Sequence, residues 1–306
     1  MILVTGGTGF IGRELVRQLV SMGKPVRTLL RPSTNSPALP KGVPVEVAVC
    51  SLLDERGLRA AMKGVDTVFH LASAEHQSTG ADLTQVDVEG THQVALAAAQ
   101  AGIEHFFFLS HLGADRASAY PVLRAKALAE SAIVHSGVPY TIFRSGAVFG
   151  PGDYLFSGLT RLMRMLPIAF FLPGDGGHLV QPIWVEDLVT CMLMALESNA
   201  YENQVLSIGG AEYLSLREIL KIIENATGMR RIPVEVYPAT VRVFALWYEQ
   251  TFHHFPLSLF WLDYLSSDRT CPVDTIPRMF GLMPARFNQQ SEYLKYVSNP
   301  KTKRKQ

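Results

Sequence analysis

Val4-Thr5-Gly6-Gly7-Thr8-Gly9-Phe10-Ile11-Gly12 follows a short apolar run at residues 2–5 and opens a stretch in which Ile11, Leu15, Leu19 and Met22 recur at helical period, closed by Gly23. A strand, a glycine loop and a helix in that order form the first unit of a parallel α/β fold. Each glycine has its own physical reason. Gly6 permits the tight turn, Gly9 lets the backbone approach a diphosphate with no Cβ between them, and Gly12 allows the helix to pack closely against the strand. The first helical turn also carries N–H groups without intrahelical acceptors, which favours an anion there. Thr5, Gly6, Gly7, Gly9, Phe10, Ile11 and Gly12 are therefore the expected contacts of a bound dinucleotide.

The next apolar run, residues 26–30, ends at Arg31. In NAD-selective Rossmann proteins a carboxylate near this point accepts from the ribose hydroxyls. Here no acidic residue occurs from Leu15 to Val45, whereas Arg17, Lys24, Arg27, Arg31 and Lys41 do. A guanidinium meets a 2′-phosphate with charge-assisted hydrogen bonds where a carboxylate would repel it, so NADP(H) is expected ahead of NAD(H). The competing reading leaves Arg31 a solvated cation with NAD(H) bound.

Further apolar runs at 45–49, 67–71, 106–110 and 140–143 alternate with helix-period stretches, one of them at 84–100. That alternation is the mark of a parallel sheet covered on both faces: a doubly wound α/β sheet of Rossmann type over residues 1–150. After Gly150-Pro151-Gly152 the rhythm loosens, with helix signals at 185–196 and 216–226. A smaller C-terminal lobe over 151–300, interleaved with the sheet, is expected, and a disordered basic tail over 301–306. The aromatic-rich stretch 241–265, with Trp247, Tyr248, Phe252, Phe255, Phe260, Trp261 and Tyr264, reads either as packing of that lobe or as a face for a partner or membrane surface.

With 28 basic against 27 acidic residues, nothing global draws the chain to nucleic acid or anionic lipid. Cys50, Cys191 and Cys271 lack metal or pairing patterns and read as reduced, mostly buried thiols; His253 and His254 lack further ligands, and no metal is expected. Uncharged stretches such as 131–143 fall short of the roughly 18 to 20 apolar residues of a transmembrane helix, so none is expected. Met1 directly ahead of the first run leaves no room for a leader, which points to a cytoplasmic protein.

Several segments together resemble extended and atypical short-chain dehydrogenase/reductases, including the NAD-dependent epimerase/dehydratase-like members. They are Thr5-Gly6-Gly7-Thr8-Gly9-Phe10-Ile11-Gly12, Val68-Phe69-His70-Leu71-Ala72, Val88-Glu89-Gly90-Thr91, Arg144 with Gly150-Pro151-Gly152, and Gln181-Pro182-Ile183-Trp184-Val185-Glu186-Asp187. The likeness covers most of the chain. It is nearest to the atypical group of NmrA-like regulators and the NADPH-binding accessory subunit of respiratory complex I, with residues 262–264 and 278–281 adding less specific support. The resemblance implies that Leu71 and Ala72 lie beside the cofactor, that Ser51 and Leu52 lie near the adenine, and that Lys126 binds the nicotinamide ribose.

The departures from the family pattern bear on activity. Family enzymes place a Ser or Thr just after the fifth strand and a Tyr four residues before the Lys, the Tyr moving the proton. Counting from Lys126, the Tyr position holds Val122 and the Ser position Leu112; Asp87 replaces the usual Asn, and Ser51 an Asp that is common there. Tyr120 precedes Lys126 by six residues, about 240° around a helix against about 40° for the usual spacing, so the two share no helical face. Pro121 complicates this, because proline at the first helical position would put Tyr120 at the cap, outside regular helix geometry. His111 is an alternative acid–base group at neutral pH. His76, Glu75 and Tyr154 also follow strand ends or the Gly-Pro-Gly turn, while His70, inside a strand, reads as a satisfied interior side chain.

Three functions follow. One is a cofactor-holding accessory or assembly protein with a protein partner or a membrane-associated complex, peripheral to the membrane. Another is an active NAD(P)-dependent reductase or nucleotide-sugar epimerase/dehydratase using Lys126 with His111 or Tyr120. The third is a sensor of the NADP+/NADPH ratio. The degenerate Ser-Tyr-Lys site favours the first.

Overall fold

The computed structural model describes residues 1–33, 44–76, 82–252 and 259–297. Lys41, His253, His254, Phe255 and the tail from Lys301 lie outside the described residues. Strands β1 (Ile2–Thr5), β2 (Val26–Leu30), β3 (Glu46–Val49), β4 (Thr67–His70), β5 (His105–His111) and β6 (Tyr140–Ser145) join a strand at Gln204–Ile208 in a seven-stranded sheet. The order is Gln204–Ile208, β6, β5, β4, β1, β2, β3, and every neighbouring pair is parallel. This is the expected doubly wound α/β fold. The chain builds outward from β1 through β2 and β3, then returns to the other side of β1 with β4. The strand order therefore reverses between β1 and β4, and such folds hold ligands beyond the strand ends at that switch point.

Consecutive phenylalanines in β5 reflect burial on both faces of the sheet. Phe106, Phe107 and Phe108 are all inaccessible; Phe106 and Phe108 share one core with Leu3, Val68, Val94, Ala98, Ile133 and Ile142, while Phe107 stacks on Phe69 at 4.5 Å. Beyond the short helix α2 (Glu55–Ala61), helices α3 (Thr91–Ala101) and α4 (Pro121–Ser136) bury small residues, including Ala95, Ala98 and Ala129, which bring their backbones close. At the sheet's other edge β3 keeps Val47 and Val49 exposed.

Two local expectations are corrected. Helix α1 (Phe10–Ser21) buries Gly12, Leu15, Val16 and Leu19, and Met22 is exposed; the buried stripe is turned toward Gly12 because the bare glycine lets the helix rest on its own loop. Gly23 follows in the left-handed region at φ +72°, as a C-terminal stop should. The helix expected at 84–100 begins as a π-helical segment, Thr84–Gly90, and becomes regular only in α3. Its wider turn carries Asp87 into the interior and sets Gly90 against Leu52, where a Cβ would lie 3.1 Å from Leu52 Cδ1.

The chain divides into two compact units: residues 1–75, 82–145 and 188–208 form the first, and residues 76–81, 146–187 and 209–306 the second. Helix α6 (Val185–Leu196) carries the chain back to the first unit, where Gln204–Ile208 completes the sheet beside β6. In the second unit α7 (Leu216–Thr227) starts at a capping box of Ser215 with Glu218 and stops at left-handed Gly228. Gln181, fully buried, donates to the Gly210 carbonyl at 2.8 Å and accepts from the Cys271 N–H at 2.8 Å. The Gln181–Asp187 motif thus serves to close this unit. Phe260, Trp261 and Tyr264 are buried, whereas Phe244 and Trp247, on α8 (Pro238–Phe252), are exposed. The three cysteines are buried and form no disulfide among the described residues. No helix among the described residues is long and apolar enough to cross a membrane.

Helix α5 (Leu155–Met165) begins over buried Asp153, whose Oδ1 accepts from the backbone N–H of Phe156 at 2.7 Å and of Ser157 at 2.9 Å, while Oδ2 accepts from the Tyr293 hydroxyl at 2.5 Å. Burial outweighs these bonds and raises the carboxyl to about 6. A native pKa above the unfolded one means the folded state binds more protons between the two values. The group's stabilising contribution is full below about pH 4 and is lost as pH rises through about 6. Asp153→Asn should therefore flatten the decline in unfolding free energy between pH 4 and 6, measured by urea denaturation; an unaltered slope would rule Asp153 out as its source.

Candidate functional site

The glycine loop is shaped by its own backbone. Gly6 leaves β1 at φ +71°, and a Cβ there would stand 2.7 Å from the backbone of Leu71 and Ala72 just beyond β4. The Leu71 N–H donates to the Thr5 carbonyl at 3.1 Å, so the segments leaving β1 and β4 meet along their main chains. A Cβ on Gly12 would fall 2.2 Å from the Gly6 carbonyl oxygen, and one on Gly7 2.8 Å from Thr28 Cγ2. Gly12 is thus needed for contact between helix and loop rather than between helix and strand. Gly9 differs, because a Cβ there would meet only the Gly6 carbonyl oxygen, at 3.1 Å, within 4 Å. It caps α1 in extended conformation with no side-chain acceptor, which leaves the N–H groups of Phe10, Ile11 and Gly12 without intrahelical partners. An open cradle of bare amides at the positive end of a helix fits a diphosphate.

Around this loop, the Thr5 hydroxyl lies 2.7 Å from His70 Nδ1, and His70 Nε2 lies 2.9 Å from the Thr91 hydroxyl. Burial, reinforced by the charge of Lys126, lowers the imidazole to about 3 and keeps it neutral. His70 is an interior residue with both nitrogens partnered, and it commits the Thr5 side chain. Arg31 follows β2 in an exposed position. Ser51 is exposed and accepts from the Leu53 N–H at 3.3 Å; Leu52 packs on Gly90.

Beyond the ends of β4 and β5 lies a buried ionic cluster within the first unit. The Lys126 ammonium, on the second turn of α4, is 3.2 Å from Asp87 Oδ1 and 3.8 Å from Glu75 Oε2, and it sits 5.3 Å from the centre of the Phe108 ring. Asp87 Oδ2 accepts from the Ala74 N–H at 2.9 Å, and Glu75 Oε2 lies 2.9 Å from His111 Nε2 at the end of β5. The Ser73 hydroxyl donates to Glu75 at 3.1 Å. All four ionisable groups are buried. Burial is the largest single influence on Lys126 and pulls its pKa down. The charges of Asp87, Glu75 and Glu130, with the hydrogen bond to Asp87, outweigh it and hold the ammonium above the usual lysine range.

Val122 and Leu112, which the sequence reading expects at the Tyr and Ser positions, are both buried. Tyr120 is the N-cap of α4, with Pro121 in the first turn, so it stands outside helical geometry as Pro121 predicts. One turn beyond Lys126, buried Glu130 accepts from the Ser110 hydroxyl at 2.5 Å and from Arg144 Nη2 at 2.5 Å. These bonds tie α4 to β5 and β6 and fix the rotation that points Lys126 inward. Sequence spacing alone gave no sign of the Glu130 tie. It also passed over Arg13, the first residue after the glycine run, whose Nη1 donates to the Thr8 carbonyl at 3.2 Å.

A sequence family described as NAD(P)H-binding matches residues 6–151. The chain is 31% identical over 221 residues to a (4-alkanoyl-5-oxo-2,5-dihydrofuran-3-yl)methyl phosphate reductase of Streptomyces griseus, covering 71% of each protein. It is 29% identical over 231 residues to the mitochondrial NADH dehydrogenase (ubiquinone) 1 alpha subcomplex subunit 9 of Arabidopsis thaliana; the match takes in 72% of this chain and spans 56% of that protein. Among solved structures, the UDP-glucose 4-epimerase of Thermus thermophilus in complex with NAD is similar, with a TM-score of 0.71 at 22% identity, covering 97% of this chain and 98% of that one.

Lys126→Met would leave Asp87 and Glu75 as buried carboxylates without their cation, a loss of about 3–5 kcal/mol of unfolding free energy. Adding Asp87→Asn and Glu75→Gln should recover part of it. Denaturant titration of the single and triple variants measures this, and equal stability of Lys126→Met and the parent chain would contradict the burial of the pair.

Proposed function

Because the chain belongs to the NAD(P)H-binding, atypical short-chain dehydrogenase/reductase family, we propose that it holds NADP(H) as an accessory, assembly or redox-sensing protein with little turnover of its own. The dinucleotide's diphosphate lies on Gly6, Gly7 and Gly9 and on the first-turn amides of Phe10, Ile11 and Gly12. Leu71 and Ala72 line its path, Ser51 and Leu52 flank the adenine, Arg31 meets the 2′-phosphate, and Lys126 faces the nicotinamide ribose. When bound, the nicotinamide supplies hydride chemistry. The protein's part is to position it and to set the charges around it.

The observation that carries this reading is the state of Lys126. Its charge is matched by two buried carboxylates, while Val122 and Leu112 fill the positions from which family enzymes move a proton. Lysine held this way can anchor and orient. Likeness to a subunit of NADH dehydrogenase supports a role at a partner complex.

The His111–Glu75 contact of 2.9 Å favours a second reading, an active reductase. A carboxylate behind an imidazole orients the ring, which a proton donor to a carbonyl undergoing reduction requires. Likeness to a reductase supports this alternative.

The two readings separate by turnover. Purified protein carrying NADPH, identified by native mass spectrometry, should leave it unoxidised across panels of aldehydes, ketones and nucleotide sugars. Turnover that disappears in His111→Ala and Glu75→Gln while nucleotide affinity persists would move the assignment to the reductase. For the cofactor, Arg31→Asp should weaken NADP(H) binding by about 2–4 kcal/mol, since a charge-assisted pair becomes a repulsion; calorimetric titration with unaltered affinity would remove Arg31 from the site.

A further inference from the structure

The cations near the glycine loop differ in how their charge is used. Arg17 pairs with Glu14, which also accepts from Gln18. Arg27 pairs with Glu46 at 2.7 Å and donates to the carbonyls of Ala61 and Lys63. Lys24 lies 3.4 Å from Glu197. Arg13 and Arg31 form no ion pair among the described residues. Arg13 is half-buried and turns back over the loop to the Thr8 carbonyl, a backbone tie that satisfies one N–H and neutralises no charge.

Strand register brings the backbone of Arg31 to the loop that the Arg13 side chain also reaches. Thr5 of β1 stands opposite Leu29 of β2, so the chain leaving β1 at Gly6 runs alongside the end of β2, where Arg31 follows Leu30. The near contact of Gly7 with Thr28 places the loop directly against that strand. Arg13 reaches the same loop at the Thr8 carbonyl. A phosphomonoester carries roughly 1.5 to 2 negative charges at neutral pH, and its terminal oxygens accept several hydrogen bonds. One solvated arginine neutralises only part of that charge and is screened by salt. A second guanidinium, already held in place by the backbone, loses little entropy when it engages.

We propose that Arg13 and Arg31 together clamp the phosphate on the adenosine ribose, Arg13 from the loop and Arg31 from the strand end, so that Arg13 is a determinant of NADP(H) over NAD(H). This rests on the NADP(H) reading above. Nothing in the clamp involves the nicotinamide end, so it holds whether the protein is a cofactor holder or a reductase.

Titration calorimetry of the full chain with NADP+, NAD+ and 2′,5′-ADP tests it on the parent protein, Arg13→Gln and Arg13→Lys. In Arg13→Gln the ratio of NADP+ to NAD+ affinity should fall at least tenfold, with a matching loss of 2′,5′-ADP binding. Arg13→Lys keeps the charge but not the fork, and its ratio should fall about threefold or more. Equal weakening of both nucleotides in Arg13→Gln would mark Arg13 as a brace of the loop and overturn the proposal. If Arg13→Gln does not fold, an unaltered ratio in Arg13→Lys overturns it instead. A parent protein that binds NAD+ as tightly as NADP+ would defeat the underlying reading before any variant is compared.

Discussion

An ammonium group enclosed by protein must be surrounded by anions, and the arrangement of the first unit around Lys126 follows from that constraint. Removing a charge from water costs several kcal/mol unless partners replace the lost solvation. Asp87 and Glu75 are those partners here, and each imposes structure on its own segment. Asp87 reaches the interior from a π-helical turn and, through its second oxygen, fixes the backbone at Ala74. Glu75 is shared with His111 and Ser73, which closes the connection after β4 over the end of β5. Glu130, tied by Ser110 and Arg144, holds α4 in the rotation that points the lysine inward.

The glycine loop meets the opposite requirement, excluding side chains instead of gathering them. Gly6, Gly7 and Gly12 lack room for a Cβ because neighbouring backbone or Thr28 occupies it, whereas the space beside Gly9 is largely open. The same four-glycine stretch therefore contains three residues whose bareness the fold itself requires and one whose bareness it does not. Loop and cluster lie at the same edge of the sheet, beyond the ends of β1, β4 and β5, because the strand order reverses between β1 and β4. A cradle that fits a diphosphate and a buried ionic cluster are thus products of one topology.

The second unit obeys a different logic. Its strands are short pairs outside the main sheet, and it is closed by buried polar contacts such as Gln181 with Gly210 and Cys271, and Asp153 with Tyr293. Such contacts are directional and specific. They leave part of the apolar surface uncovered, including Phe244 and Trp247 on α8.

What the sequence determined by itself was everything encoded at short range. The strand–glycine–helix order around residues 4–12, the alternation through the first 145 residues, the stop at Gly23 and the interior character of His70 all depend on neighbours a few positions away, so they were legible without coordinates. Tertiary structure alone decided the rest. Glu75, Asp87, His111 and Lys126 come from four separate segments, and no periodicity links them; only the strand order brings them within ion-pair distance. The π-helical turn was invisible for the same reason, because residues 84–90 satisfy a helical pattern, while Lys126, the partner of Asp87 on that turn, lies on another helix. The role of Gly12 against the loop, and the reach of Arg13 to Thr8, likewise depend on how the chain folds back on itself. Local propensity fixes which elements form, whereas burial of charge, paid for by partners distant in sequence, fixes how they meet.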